Sequence, residues 1–144
     1  MTEKEEKLIL IDIAARVPYG VMVEQTLFSS TVADKNQRLK SVQENNCVKL
    51  YWNKYNLDDF VPIDCIKPYL RPMSSMRDDE RKEYKSFIFT QHHEWDGHGK
   101  STDYVETDDV ERYVTWLNAH HFDYRGLIPM GLALEAPEDM YKTE

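Results

Sequence analysis

At the start of the chain, polar and apolar residues recur with helical spacing. Thr2 and Glu5 match a capping box, Glu3 and Lys7 make an i,i+4 pair, and Leu10, Ala14 and Val17 share a stripe with Ile13 beside it. This pattern predicts a helix over 3–16, against a competing strand-like alternation of Ile9, Ile11 and Ile13. Pro18 and Gly20 then break the pattern, so Val17-Pro18-Tyr19-Gly20 reads as a turn.

From residue 21 the period changes to two. Val21, Val23 and Leu27 alternate with Met22, Glu24 and Thr26, which predicts a half-buried strand over 21–28. Further strands are expected at 38–42, at Cys47–Trp52 and at 59–66, the last confined to an edge or a bulge by Pro62. Asn45-Asn46 and 53–58 supply the intervening turns. Four short strands so spaced predict a small antiparallel sheet, or an SH3-like barrel, within a β region at 21–66. Residues 67–72 carry Pro68 and Pro72 and read as a stiff, extended connector with little hydrogen bonding of its own.

The helical period then returns. Ser75 is placed to cap a helix at about 76–89, with Asp78, Asp79 and Glu80 at its positive end and Tyr84, Phe87 and Ile88 as its apolar stripe. Residues 90–103 are polar, carry Gly97 and Gly99, and read as a loop. Val110, Tyr113, Val114 and Leu117 mark a last helix at 107–120. Beyond it, Gly126, Pro129, Gly131 and Pro137 forbid another long helix, while Leu127, Ile128, Leu132 and Leu134 are too apolar for a solvated tail. The expected form for 122–141 is an irregular strap, with Leu127 and Ile128 inserted in the core. The fold class is therefore α+β, a single domain over 1–144 with about three helices flanking the sheet.

Composition narrows the picture. With 144 residues, 41% hydrophobic and 31% charged, the chain can bury a core without disulfides, and disorder is excluded. The net charge of −8 repels nucleic-acid phosphates and anionic lipid heads, so neither nucleic acid nor membrane is an expected partner. Lys67, Arg71, Arg77, Arg81, Lys82 and Lys85 concentrate positive charge locally, but such runs on helices are usually solvated faces. No apolar stretch approaches the roughly 20 residues that span a bilayer, which predicts a cytoplasmic protein. Cys47 and Cys65 lack the spacing of a zinc site or redox dithiol and are expected to be buried and reduced.

Three stretches stand out together: Ala15-Arg16-Val17-Pro18-Tyr19-Gly20-Val21, then Ile66-Lys67-Pro68-Tyr69-Leu70-Arg71-Pro72-Met73-Ser74-Ser75-Met76, and Trp116-Leu117-Asn118-Ala119-His120-His121-Phe122-Asp123-Tyr124-Arg125-Gly126-Leu127-Ile128. Gly131-Leu132-Ala133-Leu134 and Ala136-Pro137 follow the third. With them the chain resembles a group of small uncharacterised proteins encoded by phages and prophages of gut Bacteroidetes. The resemblance implies a setting, the cytoplasm of a bacterial host, and no activity or catalytic residue.

The candidate chemistry is sparse. His92, His93 and His98 lie with Glu94 and Asp96 in one polar segment and make a candidate metal set. His120 and His121 fall at the end of the last helix, where a cationic imidazole suits the negative end of the dipole, and His120 is also a candidate base near Asp123 or Tyr124. Asp123, Tyr124 and Arg125 read first as an ion-paired anchor for the tail. Their functional reading is a pocket in which Arg125 holds an anion and Tyr124 stacks on a ring, with Tyr69 and Arg71 completing the candidate ligand-binding set. The expected function is non-enzymatic: a phage or mobile-element accessory protein, with no cofactor, that binds a host or phage protein or sequesters a small ligand, in counter-defence among other roles. The alternatives are a metal-dependent hydrolase built on the histidine segment and a structural phage protein that self-assembles as a homo-oligomer.

Overall fold

The computed structural model describes residues 1–25, 36–43, 46–52, 57–88, 91–95, 97–98, 101–105 and 109–141. Helix α1 spans Glu3–Arg16, and its capping box is formed: the Thr2 hydroxyl accepts from Glu5 N at 3.2 Å and the Glu5 carboxylate accepts from Thr2 N at 3.0 Å. The buried face is Ile9, Asp12, Ile13 and Arg16. This face is rotated from the expected stripe, since Ala14 is exposed and Leu10 and Val17 are only half-buried. An apolar count overlooks Asp12 and Arg16, which are buried because they neutralise one another. A 3-10 turn, Val17–Tyr19, ends at Gly20 with φ 69°, where a Cβ would come within 3.0 Å of Arg38 Nε.

Five strands follow: β1 Met22–Gln25, β2 Asn36–Gln43, β3 Cys47–Trp52, β4 Leu57–Pro62 and β5 Ile66–Leu70. With the two-residue β8, Leu134–Glu135, they form one sheet in the order β4-β3-β2-β1-β5-β8. All pairs are antiparallel except β5 with β8, so the sheet is mixed. The α+β class holds, with α2 at Asp78–Ile88 and α3 at Asp109–Ala119 as the other helices.

Closure into an SH3-like barrel does not occur: among the described residues no pairing joins β4 to β5 or to β8. Yet β4 and β5 are separated in sequence only by the 3-10 turn Ile63–Cys65 while four other strand pairings lie between them in the sheet, so the sheet must curl strongly. Residues 67–70, part of the stretch 67–72 expected as a connector with little hydrogen bonding of its own, belong instead to a strand between β1 and β8. Pro68 is tolerated because β8 pairs only with Tyr69 and Leu70, leaving Pro68 a neighbour on one side. Pro62 sits at the end of the edge strand β4, as its missing N–H requires.

The core fills the inner face of this sheet. Val21, Val23, Leu39, Val48, Leu50, Val61, Ile66 and Leu70 pack with Ile9 and Ile13 of α1 and with Leu127, Leu132 and Ala133 of the strap. The strap expectation is met at Leu127, which is fully buried, and in part at Ile128, which is half-buried. A second cluster joins Met76, Trp116, Leu117 and Phe122, with Tyr84 and Tyr113 at its border, and holds α2 against α3.

Between α2 and α3 the expected loop is a hairpin. Strand β6, Gln91–Trp95, pairs antiparallel with β7, Ser101–Val105, in a separate two-stranded sheet. Its polar composition hid it, since only apolar alternation announces a strand. Cys47 and Cys65 form no disulfide and are half-buried, not buried. Burial still pushes the Cys65 thiol up, aided by Asp64 beside it, which disfavours the reactive thiolate. Among the described residues, no helix is long and apolar enough to cross a membrane.

Candidate functional site

The end of α3 positions much of the site. Phe122 N donates to Leu117 O at 3.0 Å and His121 N to Asn118 O at 3.1 Å, with His121 in the left-handed region at φ 61°. This is a Schellman closure with histidine where glycine is usual. It turns the chain back so that Phe122 bridges to Arg71 and His120 faces α2.

Opposite, the start of α2 is capped by its own side chain. Arg77 N donates to Glu80 Oε1 at 3.1 Å, whereas the expected cap Ser75 donates its hydroxyl to Pro72 O instead. Glu80 is only 3% exposed and accepts from Arg71 twice, Nη1 to Oε2 at 2.8 Å and Nη2 to Oε1 at 2.6 Å. The Arg71 hydrogen bonds outweigh burial and hold the Glu80 carboxyl at about 2, so it is ionised at neutral pH. Arg71 in turn lies over the Phe122 ring at 4.2 Å. His120 Nδ1 stands 3.5 Å from Glu80 Oε2, and the imidazole packs on Trp116 at 4.3 Å. Burial pulls its pKa below the usual value despite Glu80.

Arg71, Pro72, Ser75, Arg77, Glu80 and His120 form one wall of a cavity of about 450 Å³. The strap supplies the other wall with Glu135, Ala136, Pro137, Glu138 and Tyr141. The strap is fixed here by Ala136 N donating to Leu70 O at 2.8 Å and by the Tyr141 hydroxyl. That hydroxyl donates to Tyr69 O at 2.8 Å and accepts from Met22 N at 2.8 Å, while the ring stacks on His121 at 3.7 Å.

The four candidate ligand residues do not converge. Arg71 lines the cavity, but Tyr69 donates its hydroxyl to Glu24 at 2.9 Å and is absent from the lining, as are Tyr124 and Arg125. Burial and the Glu24 bond push the Tyr69 phenol up to about 12. Tyr124 and Arg125 serve the anchoring role. Arg125 Nη1 donates to Asp12 Oδ1 at 2.7 Å, and the Tyr124 hydroxyl donates to Asn118 at 2.9 Å. The Tyr124 ring lies within 5.4 Å of the Arg16 guanidinium and 4.6 Å of that of Arg125. Asp123 accepts from Leu127 N and Ile128 N at 2.7 and 2.9 Å, which fixes the start of the strap.

Of the candidate metal set, His92 and His93 are consecutive positions on β6, paired with Tyr104 and Asp103, and their side chains lie outside the described residues. His98 is exposed in the hairpin turn. Among the described residues, no group of three or more His, Cys, Asp or Glu could hold a metal ion. Burial, with Arg16 nearby, pulls His121 down to about 3, and burial also lowers His120, so the shifts oppose the cationic reading of both. His120 meets Glu80, not Asp123 or Tyr124.

Glu80, Glu135 and Glu138 were not legible as site residues. Glu80 at the third position of a helix carried the one available signal, half of a capping box. Comparison with protein-family models, with curated proteins and with solved structures finds no match.

Proposed function

We propose that this chain acts by binding, and that it sequesters a small polar molecule in the cleft that the strap closes against α2 and α3. One observation carries the reading: a cavity of about 450 Å³ stands against a charge network that is complete before any ligand arrives. Its size falls within the roughly 300–1,000 Å³ of small-molecule sites. Because Glu80 fixes Arg71 and Arg77, a ligand would not have to order them, and that saves conformational entropy on binding. A catalytic reading has less support. Ser75, the hydroxyl nearest in kind to a nucleophile on the cavity wall, is bonded to Pro72 O and not to His120. In the setting that the phage resemblance implies, withdrawing a small molecule from the host would blunt a defence that depends on it.

The test is amide chemical-shift mapping with a panel of small polar molecules of either charge. Expected is at least one that shifts Arg71, Glu80, His120 and Glu135 together, and whose effect Ser75→Trp abolishes by filling the cleft. Shifts confined to other surfaces, or none at millimolar concentration, overturn the reading.

A further inference from the structure

The end of the strap is fastened differently from its start. Leu134 and Glu135 pair with Tyr69 and Leu70, and Ala136 N donates to Leu70 O, so backbone bonds fix the strap as far as Ala136. The core draws its strap residues from before this point, at Leu127, Ile128, Leu132 and Ala133. Residues 137–141 then form a turn of their own, with Met140 N donating to Pro137 O at 3.0 Å and with Pro137, Glu138 and Asp139 exposed. Pro137, Glu138 and Tyr141 of this turn belong to the cavity wall. Tyr141 enters the sheet where a backbone bond is due. Leu39 N donates to Val21 O, so Val21 faces β2 and, by the alternation of a strand, Met22 faces β5. Leu70 O faces the strap through Ala136 N, so Tyr69 faces β1. The register that pairs Val23 with Pro68 next opposes Met22 and Tyr69. Between these two, the Tyr141 hydroxyl accepts from Met22 N and donates to Tyr69 O, each at 2.8 Å. A side chain thus occupies one rung of the ladder.

We infer that residues 137–141 are a lid on the cleft, hinged at Ala136 and pinned shut by the Tyr141 hydroxyl, and that β1 and β5 close one further rung when the pin leaves. The lid presupposes the binding reading above and adds how the cleft admits its ligand. Withdrawing a buried hydroxyl ordinarily strands its partners, and that cost keeps such a group in place. Here it strands neither, because Met22 N and Tyr69 O face each other in register and bond directly once the hydroxyl is gone. Two arrangements of the same strands, each with its backbone groups satisfied, make a two-state element. The backbone bonds at Leu134, Glu135 and Ala136 have no such substitute, so the strap hinges where they end. With the lid out, the cleft loses its Pro137, Glu138 and Tyr141 wall. The His121 ring, 4% exposed beneath Tyr141 at 3.7 Å, then meets solvent.

Tyr141→Phe keeps the ring and removes the pin, and NMR of the full chain without ligand reads the result. A scalar coupling through a hydrogen bond, between the Met22 nitrogen and the Tyr69 carbonyl carbon, is expected in the variant and not in the parent. The Met22 amide should keep its exchange protection to within about tenfold of the parent's, as a group that has changed partners and not lost one. A neutral gadolinium chelate should broaden the His121 imidazole protons more in the variant than in the parent. Absence of the coupling overturns the lid, and an unprotected Met22 amide beside it identifies Tyr141 as a static anchor. A coupling that forms while His121 stays as shielded as in the parent also overturns it, since the strap would then have stayed shut. Should the variant fail to fold, relaxation dispersion on the parent decides: one shared exchange rate at Met22, Tyr69 and His121 supports the lid, and flat profiles at all three overturn it. A lid that opens in these measurements, with no cleft ligand in the mapping panel, stands while the binding reading falls. A cleft ligand without the coupling removes the lid alone.

Discussion

Two regions of this molecule are equally buried and held by opposite means. The inner face of the sheet is aliphatic: Val48, Leu50, Val61 and Ile66 are at most 1% exposed and present no polar side-chain group. The junction of α1, α3 and the strap is as dry, yet it is built on Asp12, Arg16, His121 and Asp123. Arg16, with 0% exposure, donates to both Asp12 oxygens at 3.0 Å and to Phe122 O at 2.6 Å. Asp12 receives Arg125 as well. Aliphatic burial is non-directional and tolerates rearrangement at constant volume, whereas a buried ion network fixes which atoms meet. The first region supplies burial. The second dictates where the strap lies, and hence where the cleft is.

The largest effect should break this contrast if it is wrong. Leu50→Ala and Arg16→Met are each expected to cost about 3–5 kcal/mol, the first through a cavity and the second by leaving Asp12 Oδ2 and the Phe122 carbonyl without donors, with Arg125 alone on Oδ1. Their conservative counterparts should separate. Leu50→Met should restore all but about 1.5 kcal/mol, since volume is kept. Arg16→Lys should restore little, because one ammonium cannot reproduce three guanidinium bonds in two directions. Urea midpoints of the four variants measure this. Equal recovery by Met and Lys would show that the junction is held by packing alone.

The same contrast explains what could be read from the sequence. The sheet strands β1 and β3 announced themselves because apolar period and burial coincide there, and α1 did so through its capping box, although its buried face is rotated from the apolar stripe. The junction did not. Asp12 and Arg16 have the i,i+4 spacing of a surface ion pair, and nothing local distinguishes a buried pair from a solvated one. Strand β8 is two residues long, too short for any periodicity, and it exists because Leu134 and Glu135 are carried to Tyr69 and Leu70 by the strap. Hairpin β6–β7 lacks the apolar alternation that marks a strand. Arg71 was legible as a candidate from its charge, but its partner Glu80, nine residues on, read as one more acid at a helix start. The cleft therefore depends on long-range placement, which no local pattern carries.

Acid should act on the junction before it reaches the sheet. His121 has a usual pKa of 6.5 and about 3 in the fold, lowered chiefly by burial. Between those values the unfolded chain binds the proton and the folded chain does not, so stability is complete above 6.5 and falls as pH falls toward 3. The slope is about 1.4 kcal/mol per pH unit, or roughly 2 kcal/mol by about pH 5. Glu80, lowered from 4.5 to about 2, adds its own loss only below 4.5. The interval between 6.5 and 4.5 therefore reports on the histidines. His121→Asn keeps a residue that tolerates the left-handed backbone and removes the titration. It should be less stable at neutral pH, through loss of the Tyr141 stack, but should lose less stability than the parent across that interval in chemical denaturation, the remaining slope coming from His120. A variant as acid-sensitive as the parent would place the sensitivity elsewhere.

The smallest effect concerns the element that both regions share. Helix α1 sends Ile9 and Ile13 into the aliphatic core and Asp12 and Arg16 into the junction, with the capping box at its far end. Thr2→Ala removes the acceptor for Glu5 N and should cost about 1 kcal/mol. Glu5→Ala breaks the reciprocal bond, and the double variant should cost less than the sum, because the box is lost with either partner. The loss should also be local. Fraying from Thr2 reaches Ile9 before Arg16, whose side chain is bonded to Phe122 O on a distant part of the chain. Amide exchange in the first two turns of α1 should therefore accelerate, while Leu127 N and Ile128 N, held by Asp123, keep their protection. If those two amides lose protection by the same factor, α1 transmits disorder along its length, and the junction depends on the aliphatic core and not on its own ion network.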